Sequence, residues 1–403
     1  MTPAETGSQP GFSEQGLEDI RQLMRDYVAA GKSAGMLTLV SRGGKIAQLS
    51  CHGLADIASK RPIRQDSIFR IYSMTKPITS VALMTLMEQG HFELDDAARR
   101  WIPALAKLEV YHQGKIESDI TIRQLLTHTA GFSYGFRPDL FEVDKLYAEV
   151  WRGGIQDQTM EQLLQTLLEF PLVAQPGSLW NYSIATDICG YLVELMSGMP
   201  LADYLQKTIF DPLGMIDTAF EVSADRIERF ATLYGYSEDD PLVQLETNDR
   251  SPFISSISGI PVRLHSGGGG LTSTAMDYWR FAQMMLNAGE LDGRRIIKPE
   301  TVALMTRNHV DEKLLPLSFN GIAKGDYSGY GFGLGYCINM NPANTAAAGS
   351  LGDFAWGGMA DTYCWIDPEK QLIGILLQQY LPSLHHPGRK DFRNAVYHAL
   401  NDQ

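Results

Sequence analysis

The chain has 403 residues, 44% of them hydrophobic and 20% charged, enough apolar material for a large core and incompatible with a disordered or collagen-like chain. Lys and Arg number 34 against 47 Asp and Glu, a net charge of −13 with no dense basic block, which argues against a nucleic-acid surface. No basic-then-apolar leader opens the chain and no uninterrupted apolar run reaches about 18 residues, so the expectation is a soluble cytoplasmic protein of two or three domains without a membrane span.

Residues 1–11 read as a loose tail. Ser13 is placed to cap a helix running to about Ala30, with Leu17, Ile20, Leu23, Met24 and Val28 at helical spacing. Gly35–Ser41 reads as a buried strand, Arg42-Gly43-Gly44 as a hairpin turn and Lys45–Gly53 as the returning strand. Ile68–Tyr72 is a short extended run, and Thr75–Gly90 a helix dense in apolar residues. From about Asp95 to Phe220 the pattern is mainly helical, clearest at 120–131, 160–170 and 183–198. Residues 221–265 are irregular and polar. Gly267–Gly270 is a flexible bend before a helix at about Ala275–Asn287. β-like stretches follow at Gly331–Ile338, Asn344–Ser350, Ala360–Asp367 and Leu372–Gln379, and a last helix spans about Arg389–Leu400. Strands therefore lie at both ends and helices in the middle. The expected architecture is α+β: an antiparallel sheet with flanking helices built from residues 12–95 and 267–403, and a mostly helical second domain at 96–266.

Chemistry concentrates in Ser73-Met74-Thr75-Lys76, an S-x-x-K at the start of a helix. Residues three apart on a helix share a face, so the Ser73 hydroxyl and Lys76 amine can meet. A serine hydroxyl needs a neighbouring base to attack at neutral pH, and a lysine serves only when burial or a nearby cation lowers its pKa. The tetrapeptide alone describes a helix-capping Ser with an exposed Lys equally well. Tyr182, in Trp180-Asn181-Tyr182-Ser183, stands just before a helix and could present its phenol to a cleft as a general base, or pack beneath the helix start. Trp356-Gly357-Gly358-Met359 closes a strand, and its paired glycines suit either a tight turn or close backbone approach to a ligand. In the second case the N–H groups of Ser73 and Met359 could form an oxyanion hole.

Together these segments resemble the serine β-lactamase and penicillin-binding-protein superfamily, and within it the class C β-lactamase-like, or family VIII, carboxylesterases. The resemblance runs over about residues 12–400. It rests on IYSMTKPITSVALMTLMEQG (71–90), LLTHTAGF (125–132), PGSLWNYSIATDICGYLVE (176–194), FDPLGM (210–215), SGGGGLTSTAMDYWRFAQMML (266–286) and FAWGGMADTYCWIDP (354–368). It implies a β-lactamase/transpeptidase-like fold, with Ser73 as the acyl-forming nucleophile and Lys76 and Tyr182 sharing base and proton-relay work. Trp356, Gly357 and Gly358 replace the K-T-G strand, and Trp356 lines the substrate pocket. Two positions depart from the β-lactamase pattern: Ile184 stands at the Asn of Y-x-N, and Trp356 replaces the Lys of K-T-G. Without those groups a penicillin-like anion loses a charge-assisted contact of about 1.5–3 kcal/mol, which favours neutral esters. The implied activity is hydrolysis of small-molecule carboxylic esters without metal or organic cofactor. Acyl transfer to an alcohol, β-lactam or D-amino-acid peptide cleavage, and a non-catalytic scaffold stay open, as does the oligomeric state.

A second serine motif, Gly131-Phe132-Ser133-Tyr134-Gly135, matches the G-x-S-x-G elbow of α/β-hydrolases. That elbow needs a strand before its serine, whereas this one follows a helix. It reads as a helix-ending loop whose Phe132 and Tyr134 edge the cleft and bind substrate. His128 reads as a structural hydrogen-bonder. His385-His386 lack a third ligand at metal-binding spacing. Gly267–Gly270 lacks the Lys-Ser/Thr ending of a phosphate-binding loop. Cys51, Cys189, Cys337 and Cys364 form no C-x-x-C pair and are expected as free thiols.

Overall fold

A computed structural model describes residues 11–139, 141–152, 158–245, 262–318 and 327–401. Apart from Gly11, the expected tail lies outside these, as does much of the irregular stretch at 221–265.

Both ends of the chain build one sheet. Its strands are β1 (Gly35–Arg42), β2 (Lys45–Asp56), β3 (Arg61–Pro62), β4 (Tyr330–Phe332), β5 (Cys337–Asn339), β6 (Phe354–Gly357), β7 (Tyr363–Asp367) and β8 (Leu372–Gln378). The order is β4-β5-β6-β7-β8-β1-β2-β3, antiparallel throughout, so the last long strand pairs with the first, Leu39 opposite Ile375. β1 is central and buried on both faces, with the strand's twofold alternation dividing its side chains. Met36 and Val40 pack with Leu372 and Leu376 beneath the first and last helices, α1 (Glu14–Ala29) and the helix Gly388–Ala399. Leu37 and Leu39 join the larger core on the opposite face. Ser13 caps α1 as expected, its hydroxyl accepting the Gly16 N–H at 3.0 Å.

The larger core is centred on α2 (Thr75–Glu88), whose residues 75–86 are all buried. A helix apolar on every side sits inside a protein, and here it packs against α6 (Ala185–Ser197). Between them in sequence come α3 (Ile122–Leu126), α4 (Glu142–Arg152) and α5 (Met160–Leu167). Two sequence expectations are corrected. Gly331–Ile338 is not one strand but the hairpin β4–β5. Asn344–Ser350 is not a strand: a short helical turn, Pro342–Asn344, runs into irregular chain, and Ala348 N–H bonds the Asn394 side chain instead of a sheet ladder. Among the described residues no helix is long and apolar enough to cross a membrane.

Candidate active site

Ser73 lies in a 3-10 turn, Tyr72–Met74, that runs directly into α2. Tyr72 holds φ at 45°, a left-handed conformation that costs a non-glycine residue about 1–3 kcal/mol. Surrounding bonds hold the turn in place. Tyr278 donates to the Met74 carbonyl at 3.1 Å, and Leu271 N–H donates to Thr75 Oγ1 at 3.1 Å. Ser73 thus sits on a strained turn at the rigid end of a buried helix.

Lys76 is one turn further on and 1% exposed. Its Nζ lies 3.3 Å from Ser73 Oγ, 2.9 Å from the Tyr134 hydroxyl and 2.7 Å from the Gly268 carbonyl. The Tyr134 hydroxyl donates to Asp187 Oδ2 at 3.0 Å. Asp187 Oδ1 accepts the Gly268 N–H at 3.0 Å and the Ser266 hydroxyl. An ionised carboxylate only accepts, so the phenol proton of Tyr134 goes to Asp187 and its oxygen accepts from Lys76. Gly268 takes a second N–H. A neutral amine has two N–H bonds and one lone pair, and the lone pair is left for the Ser73 hydroxyl. Burial lowers the Lys76 pKa to about 7, with Asp187 pulling the other way, so the neutral amine is populated near neutrality.

Gly268 has a steric reason to be glycine. A Cβ there would lie 2.3 Å from Asp187 Oδ2 and 2.6 Å from the Tyr134 hydroxyl. The expected flexible bend at 267–270 is therefore a built wall of the site. Asp187, Ser266 and Gly268 were not legible as site residues. Asp187 sits in the first turn of α6, five residues past Tyr182, and no motif distinguishes it from the other carboxylates.

The Tyr182 ring stands 4.6 Å from Lys76 Nζ. Burial raises the phenol pKa well above its ordinary value, and hydrogen bonds with Ser73 and the Trp356 indole only partly oppose this. Tyr182 is therefore a protonated phenol at neutral pH. Its ring also contacts Tyr134 and Trp356, each at a centroid distance of 5.4 Å.

Trp356 and Gly357 end β6 opposite Cys364 and Tyr363. Gly358 N–H donates to the Thr362 carbonyl at 2.8 Å, which turns the chain. The N–H of Ser73 belongs to the 3-10 turn that opens α2, and that of Met359 to the turn just after β6. Both residues border one cavity of about 970 Å³, together with Tyr134, Tyr182, Trp356, Gly357 and Gly358. Its lining includes further aromatics, among them Phe136, Tyr236, Tyr327 and Tyr330.

Other sequence candidates fall elsewhere. Phe132 does not edge the cleft: it is 1% exposed, packs in the larger core and does not border the cavity. Tyr134 borders the cavity, but its hydroxyl is engaged inside the protein between Lys76 and Asp187. Ser133 is buried, and its hydroxyl donates to Asp144 Oδ1 at 2.5 Å and accepts Gly135 N–H at 3.1 Å, tying its loop to α4. His128 is buried beside Tyr182, its Nδ1 accepting Ser183 N–H at 3.3 Å. Burial first, then Lys76, lowers the His128 pKa well below its ordinary value. All four cysteines are free, and no metal-binding cluster occurs among the described residues.

The β-lactamase family model matches residues 20–398. Esterase EstB of Burkholderia gladioli is 31% identical over 375 residues, 90% of each chain. Among solved structures, EstCE1, titled a hydrolase with promiscuous acyltransferase activity, superposes with a TM-score of 0.80 at 25% identity, covering 95% of this chain and 99% of that one. Simvastatin synthase (LovD) from Aspergillus terreus superposes with a TM-score of 0.78 at 25% identity, covering 96% and 98%.

Proposed function

The chain belongs to the β-lactamase family and is a serine hydrolase of that fold, and we propose that it is a carboxylesterase acting on neutral esters through an acyl-enzyme at Ser73. The observation that carries this reading is the buried Lys76 amine, held 3.3 Å from Ser73 Oγ with two further acceptors, the Tyr134 hydroxyl and the Gly268 carbonyl, so that in its neutral form both N–H groups can be engaged and a lone pair left for Ser73.

The Ser73 proton passes to neutral Lys76 as Oγ bonds to the ester carbonyl carbon. The carbonyl oxygen becomes an oxyanion received by the N–H groups of Ser73 and Met359, donors that in such sites contribute about 2.7–4 kcal/mol each. On collapse, the alcohol leaves with the Tyr182 proton, and the Lys76 ammonium, 4.6 Å from the Tyr182 ring, returns a proton to the phenolate directly. Water then attacks the acyl carbon as its proton passes to neutral Lys76, and that proton returns to Ser73 Oγ as the Oγ–acyl bond breaks and the acid leaves. This division of labour follows from the two pKa directions: the amine is easily neutral, the phenol is not easily charged. Trp356 contributes to that contrast. It offers Tyr182 a neutral N–H where the β-lactamase pattern has a lysine, so no second cation favours the phenolate.

An acyltransferase reading draws on the likeness to LovD and on a cavity roomy enough for an acyl group and an alcohol together. β-Lactam cleavage is disfavoured. Trp356 replaces a cationic anchor, and Ile184 is buried in the core rather than aimed at a ligand amide. A p-nitrophenyl ester panel of graded chain length, run with and without an alcohol acceptor, tests these readings. Release of free acid supports the esterase, accumulation of the new ester supports transfer, and no turnover on any ester refutes both.

A further inference from the structure

The oxyanion assignment gives the Gly358–Met359 peptide a particular duty, because its N–H is one of the two donors. The same peptide unit carries the Gly358 carbonyl, which in a trans peptide points the opposite way. Two donors grip that oxygen. Asp361 N–H reaches it at 3.1 Å, and Arg389 Nη2 at 2.5 Å.

Arg389 sits in the first turn of the C-terminal helix and is itself held. Its Nε forms an ion pair with Asp361 Oδ1 at 2.7 Å, a charge contact rather than an aligned hydrogen bond. Asp361 is 1% exposed, with φ at 65°. Its carboxylate also accepts from Gln378 Nε2 at 2.8 Å and from Leu384 N–H at 3.3 Å. Backbone and side chain of Asp361 therefore serve one purpose, the first by bonding Gly358 O and the second by aiming Arg389 at it.

The glycine pair fits this arrangement. A Cβ on Gly357 would lie 2.4 Å from Arg389 Nη1, so the first glycine leaves room for the guanidinium. A Cβ on Gly358 would lie 2.3 Å from the Ile71 carbonyl, so the second lets the turn close on the segment that leads to Ser73.

We propose that Arg389 is a positioning residue for the oxyanion hole: by donating to the Gly358 carbonyl it fixes the Gly358–Met359 peptide and polarises its N–H toward the charge that develops on the ester. A hydrogen bond to a peptide carbonyl strengthens the donor at the other end of that peptide, and a cation does so more than a neutral group. The inference rests on the Ser73 acyl-enzyme reading.

The test uses the full chain, p-nitrophenyl butyrate and phenylboronic acid, whose tetrahedral serine adduct mimics the oxyanion. Arg389→Met should lower kcat about 10–100-fold with KM changed less than about threefold, and Arg389→Lys should lose less. Boronate affinity should fall by the same factor as kcat/KM, and the kcat/KM pH midpoint should stay in place because Lys76 is untouched. Gly357→Ala keeps both Arg389 and Asp361 but displaces the guanidinium. It should reproduce the kcat loss, and it decides the matter if Arg389→Met does not fold. Wild-type kcat in Gly357→Ala and Arg389→Lys, or a loss confined to KM, overturns the proposal. Phosphonate labelling of the wild type separates the two failures. An adduct on Ser73 with unaffected variants sinks only the role of Arg389, whereas no adduct on Ser73 removes the acyl-enzyme reading itself.

Discussion

Tyr134→Phe removes one oxygen and tests how Lys76 is kept ready. The phenol oxygen accepts from Nζ at 2.9 Å and donates to Asp187 Oδ2 at 3.0 Å, so it is the neutral link between a base and a carboxylate. Without it, an N–H of the neutral amine loses its acceptor while Asp187 regains an open lone pair. The first change disfavours the ammonium, which donates more strongly than the amine, and the second favours it; the second prevails because the full charge of a carboxylate outweighs the dipole of a phenol. A hydrogen bond to a charged group is worth about 1.5–3 kcal/mol, which at 1.36 kcal/mol per unit corresponds to a rise of roughly one to two units in the Lys76 pKa. Starting from about 7, the neutral fraction at pH 7 drops from about one half to about 1–10%, a loss of roughly 5–50-fold in kcat/KM. The assay is a pH series of p-nitrophenyl ester hydrolysis. The variant should approach wild-type rates at high pH, with its rising limb displaced to higher pH. A Tyr134→Phe profile that overlays the wild type would refute the lone-pair argument, and a uniform loss at every pH would show damage unrelated to protonation.

For the wild type, the proposed lysine base requires kcat/KM to rise with pH through about 7, since the form that it needs is the deprotonated amine and burial has lowered its pKa; a falling limb in that window contradicts a lysine base. Tyr182→Phe should lower kcat while leaving KM nearly unchanged, because in the proposed mechanism the phenol moves a proton rather than binding the ester; a pure KM effect would make it a binding residue. Ser133→Ala should keep esterase activity yet lose about 1.5–3 kcal/mol of stability in urea denaturation, having removed the buried bond to Asp144. Loss of activity with intact stability would instead revive the G-x-S-x-G reading.

Local pattern made much of the fold legible. The Ser13 cap, the Arg42-Gly43-Gly44 turn and the apolar density of α2 are short-range features, and each element appears where those residues place it. Asn344–Ser350 misled because small residues carry no strong preference, and the partner of Ala348 is a side chain on the final helix. At the site, Ser73 and Lys76 were readable because three-residue spacing on a helix is itself a geometry. Asp187, Ser266 and Gly268 were not. They join the network of Lys76 and Tyr134 only after the middle of the chain folds back on α2, Asp187 and Ser266 standing 79 positions apart in sequence. Tyr134 shows the same limit in reverse. Its place beside the cleft could be guessed, but the direction of its hydroxyl depends on a carboxylate that the sequence does not single out.

The central claim is a covalent ester on Ser73 formed with Lys76 as base. Acid-quenched reaction with p-nitrophenyl butyrate, followed by peptide mass spectrometry, tests it most directly. The account predicts a butyryl group on the peptide holding Ser73, abolished in Ser73→Ala and accumulating more slowly below pH 7. A butyryl group on Ser133, or turnover that proceeds with Ser73 replaced, would contradict it.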